Sequence, residues 1–298
     1  MTTQIPANIQ TTTIQLPNIT IAGKLWGEED GEKAIALHGW YDNANTFDWL
    51  GPRLDNMQIF AMDLAGHGFS GHRRNLEVQR GDGDMADVLG VADALGWDKF
   101  TLIGHSMGAE IAGAMTAMFP ERVQRLICLD GFVGATTSSR TLRHFRRATL
   151  ATMKQPTTPR VYASLDDMTE RLSEVMKITI EEAVVLMERG VKKVEGGFTW
   201  RSDSRTKDTG PLEMNSRQFE ALLDAIKAPS LIIRAEGSAR FEYTFKLLTE
   251  KPCPDNVELT FLPGGHHLHL SKYVDGVADT IKKFCERTPA FTCEYEVD

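Results

Sequence analysis

The sequence predicts an α/β fold, a mostly parallel sheet flanked by helices and interrupted once by a helical insertion. Three observations carry this. Short apolar runs of strand length alternate with helical patterns through the first half of the chain. One of these runs, residues 100–103, leads through Gly104-His105-Ser106-Met107-Gly108 into a stretch rich in Ala, Gly and Met, which reads as strand, sharp turn, helix. The strand signals then stop and resume only near Ser230.

Each element follows from its own pattern. Residues 12–26 alternate loosely around Ile14, Leu16, Ile19, Ile21 and Leu25 and break at Pro17-Asn18, as an antiparallel hairpin at a sheet edge would. Residues 34–37 and 58–62 are continuous apolar runs, expected of buried strands. They end in His38-Gly39-Trp40 and Asp63-Leu64-Ala65-Gly66-His67-Gly68. The second loop reads as a structural glycine turn beneath the elbow and matches no phosphate-binding loop. From Asp84 to Leu95 the apolar positions share one helical face, with Gly96 as the stop. Residues 125–129 form another strand, ending at Asp130.

Between about Val133 and Lys227 no strong strand pattern stands out. A basic stretch from Thr141 to Met153 is compatible with helix. The boxes Asp167-x-x-Glu170, Thr179-x-x-Glu182 and Asn215-x-x-Gln218 open three helices. The expected division is a core of residues 1–133 and 226–298 and a helical cap of residues 134–225. Strands return at residues 230–233 and 257–262, and a last helix runs from Ser271 to Phe284.

The chain has 298 residues, 42% of them hydrophobic and 25% charged, which suits a soluble globular protein. A formal net charge of −8 argues against nucleic acid or an anionic membrane as the main partner. There is no run long enough for a membrane span and no signal-peptide pattern at the start, so the expected location is cytoplasmic. Cys128, Cys253, Cys285 and Cys293 lack C-x-x-C spacing; Cys128 reads as a core residue, and Cys285 and Cys293 lie on a later, more exposed segment.

A serine becomes a nucleophile when it projects free of its backbone beside a base and a helix N-terminus. Gly104 and Gly108 make that room around Ser106. Of the eight histidines, only His266, His267 and His269 lie in a loop after the last strand. The turn Pro263-Gly264-Gly265 favours His266 as the base and leaves His267 and His269 to shape the rim. Two acids end strands on the correct edge, Asp130 and Glu236; Asp130 is favoured and Glu236 is the alternative. The oxyanion needs two donors, the amides of Met107 and Trp40. No Cys/His cluster has structural zinc spacing, and the His266–His269 run is the one metal-like feature, so neither metal nor cofactor is expected.

These motifs, together with Gly264-Gly265-His266-His267-Leu268-His269-Leu270, resemble the α/β-hydrolase superfamily. The resemblance is nearest to its serine hydrolase-like group, related to epoxide hydrolases and haloalkane dehalogenases. Residues 196–203 are similar to a cap-to-core motif of that group. The resemblance implies an eight-stranded sheet with a cap after the sixth strand, Ser106 as nucleophile and His266 as base. Where many relatives carry Gly-x-x-Asp after the seventh strand, this chain has Ala235-Glu236-Gly237-Ser238; dehalogenase relatives often place the acid where Asp130 stands. A serine at the elbow departs from the aspartate nucleophile of both those enzyme groups.

The expected activity is hydrolysis of a carboxylic ester on a small molecule with an apolar acyl or alkyl part. Phe132, Phe145, Met153, Met176 and Trp200 are candidates for an acyl pocket or for the cap's own core. Thioester, lactone, amide, carbon–carbon or perhydrolytic chemistry would use the same residues. A non-catalytic small-molecule receptor on the same fold is the alternative from another class.

Overall fold

The computed structural model describes residues 10–73, 82–136, 160–206, 213–250 and 253–292, with a few single positions between 143 and 153. Strands β1 (Gln10–Gln15), β2 (Thr20–Trp26), β3 (Glu32–Leu37) and β4 (Met57–Met62) precede helix α1 (Asp82–Ala94). Strand β5 (Phe100–His105), helix α2 (Met107–Met118) and strand β6 (Val123–Leu129) follow. The insertion holds β7 (Gly134–Ala135), α3 (Leu165–Met176), α4 (Ile180–Gly190), β8 (Val191–Val194), β9 (Gly197–Trp200) and β10 (Glu213–Met214). Helix α5 (Ser216–Ala225), strand β11 (Ser230–Ala235), helix α6 (Glu242–Glu250), strand β12 (Val257–Leu262) and helix α7 (Val274–Arg287) complete the chain.

The eight long strands form one sheet in the order β1-β2-β4-β3-β5-β6-β11-β12. The pairs β1·β2 and β2·β4 are antiparallel and every other pair is parallel. Strand periodicity splits the apolar runs between two cores. Ile35, Leu37, Leu102, Leu126, Cys128 and Ile232 pack beneath α1, α2, α5 and α6. Ala34, Ala36, Ile103, Ile127, Leu129, Leu231 and Ile233 pack beneath α7 and residues 44–54. Helix α7 supplies Val277, Ile281 and Phe284 to that face, each buried. Full burial of one such side chain contributes roughly 1.5–3 kcal/mol.

The insertion differs from the helical reading. It contains the hairpin β8·β9 and the short parallel pair β7·β10, outside the main sheet. Four-residue strands around a Glu195-Gly196-Gly197 turn are too short for their period to show, and Lys192 and Lys193 are both exposed. Gly196 (φ 81°) and Gly197 (φ 142°) make that turn, and a side chain at 197 would strike the Tyr162 carbonyl. Helix α3 starts at Leu165, earlier than the Asp167 box, because the Ser164 hydroxyl accepts from the Asp166 and Asp167 amides. The capping boxes at Thr179/Glu182 and Asn215/Gln218 form.

A cluster of Met168, Leu172, Ile178, Ala183, Leu186 and Met187 gives the insertion its own core. Helix α5 does not belong to it: Phe219, Leu222 and Leu223 pack into the sheet core with α2. Phe132 is wholly buried there too, with its ring edge-on to Phe219 at 5.9 Å. Met153 is exposed, Met176 and Trp200 flank the insertion's core, and Phe145 lies outside the described residues. Cys285 is buried on α7 rather than exposed, and Cys293 lies outside the described residues.

The insertion is tied to the sheet by polar contacts. Arg189 of α4 bonds through Nε to the Asp63 carboxylate at 2.7 Å, with both side chains buried. The Asp203 amide donates to the Gly66 carbonyl at 2.8 Å. Asn43 and Asn45 donate to carbonyls of Leu186 and Val185. Among the described residues no helix is long and apolar enough to cross a membrane.

Candidate active site

Ser106 sits between β5 and α2 with φ 52° and ψ −117°. A non-glycine residue there is strained, at a cost of order 1–3 kcal/mol, and the surroundings must hold it. The Ser106 amide donates to Leu129 O, and its carbonyl accepts from the Ala109 and Glu110 amides. Three glycines clear the space. A Cβ at Gly104 would lie 2.5 Å from Ala109 Cα, one at Gly108 2.1 Å from Leu37 O, and one at Gly131 2.7 Å from Ser106 O. The sequence motif flags the first two; Gly131 follows Asp130 and carries no motif of its own.

His266 lies beyond the Pro263-Gly264-Gly265 turn, where Gly264 has φ 127°. Its Nε2 is 2.9 Å from Ser106 Oγ and its Nδ1 is 2.6 Å from Asp130 Oδ2. Asp130 follows β6 directly and has φ 42°, in the left-handed region. Its Oδ1 accepts from Arg234 Nη1 and from the Ala235 amide, each at 2.9 Å. Arg234 also donates to the Arg240 and Ser238 carbonyls and stacks on the Phe245 ring at 4.4 Å. The sequence reading missed this guanidinium, which sits inside an apolar strand run. Glu236 is exposed.

Electrostatics separate the two partners. Burial pushes the Asp130 carboxyl up, but hydrogen bonds from His266 and Ser238 outweigh it and hold the group below its ordinary value. Burial lowers His266 against the raising effect of Asp130. The imidazole is therefore neutral near pH 7 and able to accept a proton.

Met107 is the first residue of α2, so its N–H has no partner within the helix. The loop after β3 reaches the same place: a Cβ at Gly39 would lie 3.2 Å from Ser106 Cβ. Trp40 follows, half exposed, stacked on Tyr41 and donating from its indole to Thr206 O. His38 clamps this loop: Nδ1 donates to Gly39 O and Nε2 accepts from the Leu64 amide. The Asp63–Gly68 turn packs against it, with the His38 and His67 rings 5.0 Å apart. Asp63 also accepts from the Ala44 and Phe69 amides.

His267 and His269 do not shape the rim. Both are buried, and their rings lie 4.7 and 4.3 Å from that of His105. Thr46 Oγ1 bonds His269 Nε2 at 2.9 Å, and His105 Nε2 donates to the His266 carbonyl at 2.9 Å. Burial holds His105 down to about 4 and His269 well below the ordinary value. His72 is half exposed against Arg201 O, and His144 lies outside the described residues.

Strand order, strained serine and histidine–carboxylate pair together define a class, an α/β hydrolase with serine at its elbow. Residues 35–273 match the family model of the alpha/beta hydrolase fold, and the chain belongs to that family as one of its serine hydrolase-like members. A serine hydrolase-like protein of Danio rerio is 31% identical over 280 residues, which cover 89% of this chain and 85% of the relative. The crystal structure of a hypothetical protein from Pseudomonas aeruginosa PAO1 is 34% identical with a TM-score of 0.82, covering 93% of this chain and 99% of that one. An sn-1-specific diacylglycerol lipase of Danio rerio is 25% identical over 271 residues, 86% of this chain and 79% of the lipase.

Proposed function

We propose that this protein cleaves a carboxylic ester through an acyl-enzyme, with Ser106, His266 and Asp130 as its triad. The observation that carries the reading is the continuous contact from Ser106 Oγ through both ring nitrogens of His266 to Asp130. Ser106 Oγ attacks the ester carbonyl while His266 Nε2 takes its proton. Asp130 fixes the tautomer with hydrogen on Nδ1 and stabilises the imidazolium. The carbonyl oxygen, now an anion, is bound by the Met107 and Trp40 amides. One such donor is worth roughly 3–4 kcal/mol in the transition state. His266 returns its proton to the leaving alcohol, then draws one from the water that hydrolyses the acyl-enzyme.

The substrate is a small molecule with an apolar acyl or alkyl part. Half-exposed Trp40, Tyr41 and Phe69, on the loops after β3 and β4, support this, as does the lipid ester named for the lipase relative. The segment 134–214 acts as the cap that selects the substrate; α5 is assigned to the core because of where its side chains pack. The reaction needs no cofactor, and free, buried Cys128 is in keeping with a cytoplasmic setting. An ester panel of graded acyl length tests the reading. Wild type should hydrolyse part of the panel, and Ser106→Ala should lose at least about 10⁴-fold in turnover while folding normally. Near-wild-type turnover in Ser106→Ala would overturn it.

A further inference from the structure

Behind the elbow, three side chains from distant parts of the chain converge. Asp42 follows the β3 loop, His105 ends β5, and His267 follows β12. All three are more than nine-tenths buried. Asp42 Oδ2 lies 3.7 Å from His105 Nδ1 and 3.7 Å from His267 Nε2, too far for a hydrogen bond. One donor atom from each lies within 4.8 Å of the other two. Asp42 Oδ2 and His105 Nδ1 have no hydrogen-bond partner among the described residues.

The unpaired atoms have a definite sign. His105 Nε2 faces the His266 carbonyl, a pure acceptor, so Nε2 carries the ring hydrogen. In the neutral ring Nδ1 is then a lone pair, and it points at a carboxylate oxygen. Two buried acceptors facing each other repel unless a donor or a cation lies between them. Two imidazole nitrogens and one carboxylate oxygen form a donor set suited to zinc, with the fourth position open.

We propose that Asp42, His105 and His267 bind a divalent transition-metal ion, Zn²⁺ by donor type, and that filling this site inhibits hydrolysis. The ligands come from both sides of the reacting pair: His105 precedes Ser106, and His267 follows His266. Bonds of about 2.0–2.1 Å in a tetrahedron put donor atoms about 3.3–3.4 Å apart. Closing the present 3.7 Å separations to that value moves β5 and the His266 loop about 0.3–0.4 Å toward Asp42. A misplacement of about 1 Å costs about 10²-fold in turnover, so this smaller shift should cut turnover severalfold. The binding half of the proposal stands on geometry alone; the inhibitory half rests on the triad reading. The metal-like run noted in the sequence contributes only His267; the other two ligands come from the loop after β3 and the end of β5.

The test titrates the full-length protein with Co²⁺, followed by visible absorption, and then displaces it with Zn²⁺. Wild type should bind one equivalent with a tetrahedral-type spectrum. Asp42→Asn keeps the contact that Asp42 Oδ1 makes with the Asn43 amide, and His267→Gln provides an independent variant. Each should weaken binding at least about 100-fold, more than loss of an outer partner would. His266→Gln should bind as wild type does. Unchanged affinity in both Asp42→Asn and His267→Gln, loss in His266→Gln, or no binding by wild type would each overturn the site. Full ester turnover by zinc-loaded wild type would overturn the inhibition. If wild type hydrolyses no ester at all, the triad reading fails and the Co²⁺ titration still decides the site.

Discussion

Replacing Asp130 by asparagine changes one oxygen into an amide group, and the surroundings dictate which one. Oδ1 faces two donors, Arg234 Nη1 and the Ala235 amide, so the carboxamide oxygen must stay there. The reverse placement would bury opposed donors, at about 1–3 kcal/mol for each group left unpaired. The amide nitrogen therefore occupies the Oδ2 position, 2.6 Å from His266 Nδ1 in the parent. Two N–H groups cannot share that contact. His266 is driven to the other tautomer, with its hydrogen on Nε2 facing Ser106 Oγ. It then has no lone pair to take the serine proton. A wrong tautomer in a serine triad costs about 10⁴-fold in turnover, or about 5.4 kcal/mol at 1.36 kcal/mol per factor of ten. Glu236→Gln alters an exposed side chain and should stay within roughly twofold. The assay is kcat on the best ester of the panel, with thermal unfolding as a folding check. A loss below about 30-fold in Asp130→Asn, or a larger loss in Glu236→Gln, would refute the argument.

Two further predictions concern stability. Burial holds His38 at about 4, His67 at about 3 and His105 at about 4, all against an unfolded value of 6.5. Each of these histidines costs about 1.4 kcal/mol of stability per unit as pH falls from 6.5 toward 4, while Asp84 and Asp87, raised by burial to about 7 and about 6, act in the opposite direction. The effect of one histidine is therefore read by difference: in urea unfolding from pH 8 to 5, His67→Gln should gain stability relative to wild type as pH falls, and a pH-independent difference would contradict this. Arg189→Met strands the buried Asp63 carboxylate and should destabilise the fold by about 3–5 kcal/mol near pH 7. Burial already raises the Asp63 pKa despite Arg189. The difference from wild type should therefore shrink as pH falls and Asp63 takes a proton; a difference that grows toward acid pH would count against it.

Ser106 and its turn were legible because the constraint is local. A strand, two glycines and a helix start within a few residues specify the backbone, whatever packs on it. His266 was legible through chain order and the glycine turn before it. The preference for Asp130 over Glu236 leaned on the resemblance, because both end strands on the same edge and no local pattern separates them. What separates them is the left-handed backbone at Asp130 and the guanidinium of Arg234, which reaches it from the neighbouring strand. Neither leaves a pattern along the chain. His267 and His269 misled for the opposite reason. Polar residues in a loop read as exposed, and only the tertiary fold shows His105 and Thr46 waiting beneath them. The cap hairpin escaped because four residues are too few to reveal alternation. Helix α5 carried a clear amphipathic stripe, but a stripe does not say which of two cores it faces.

On the proposed function, Ser106 is a nucleophile activated by His266. Reaction of the protein with a fluorophosphonate, followed by intact mass and peptide mapping, tests it without knowledge of the substrate. One adduct is expected, on the peptide containing Ser106, absent in Ser106→Ala and formed at least about 10³-fold more slowly in His266→Gln. An adduct on another residue, or labelling of His266→Gln at the wild-type rate, would contradict it.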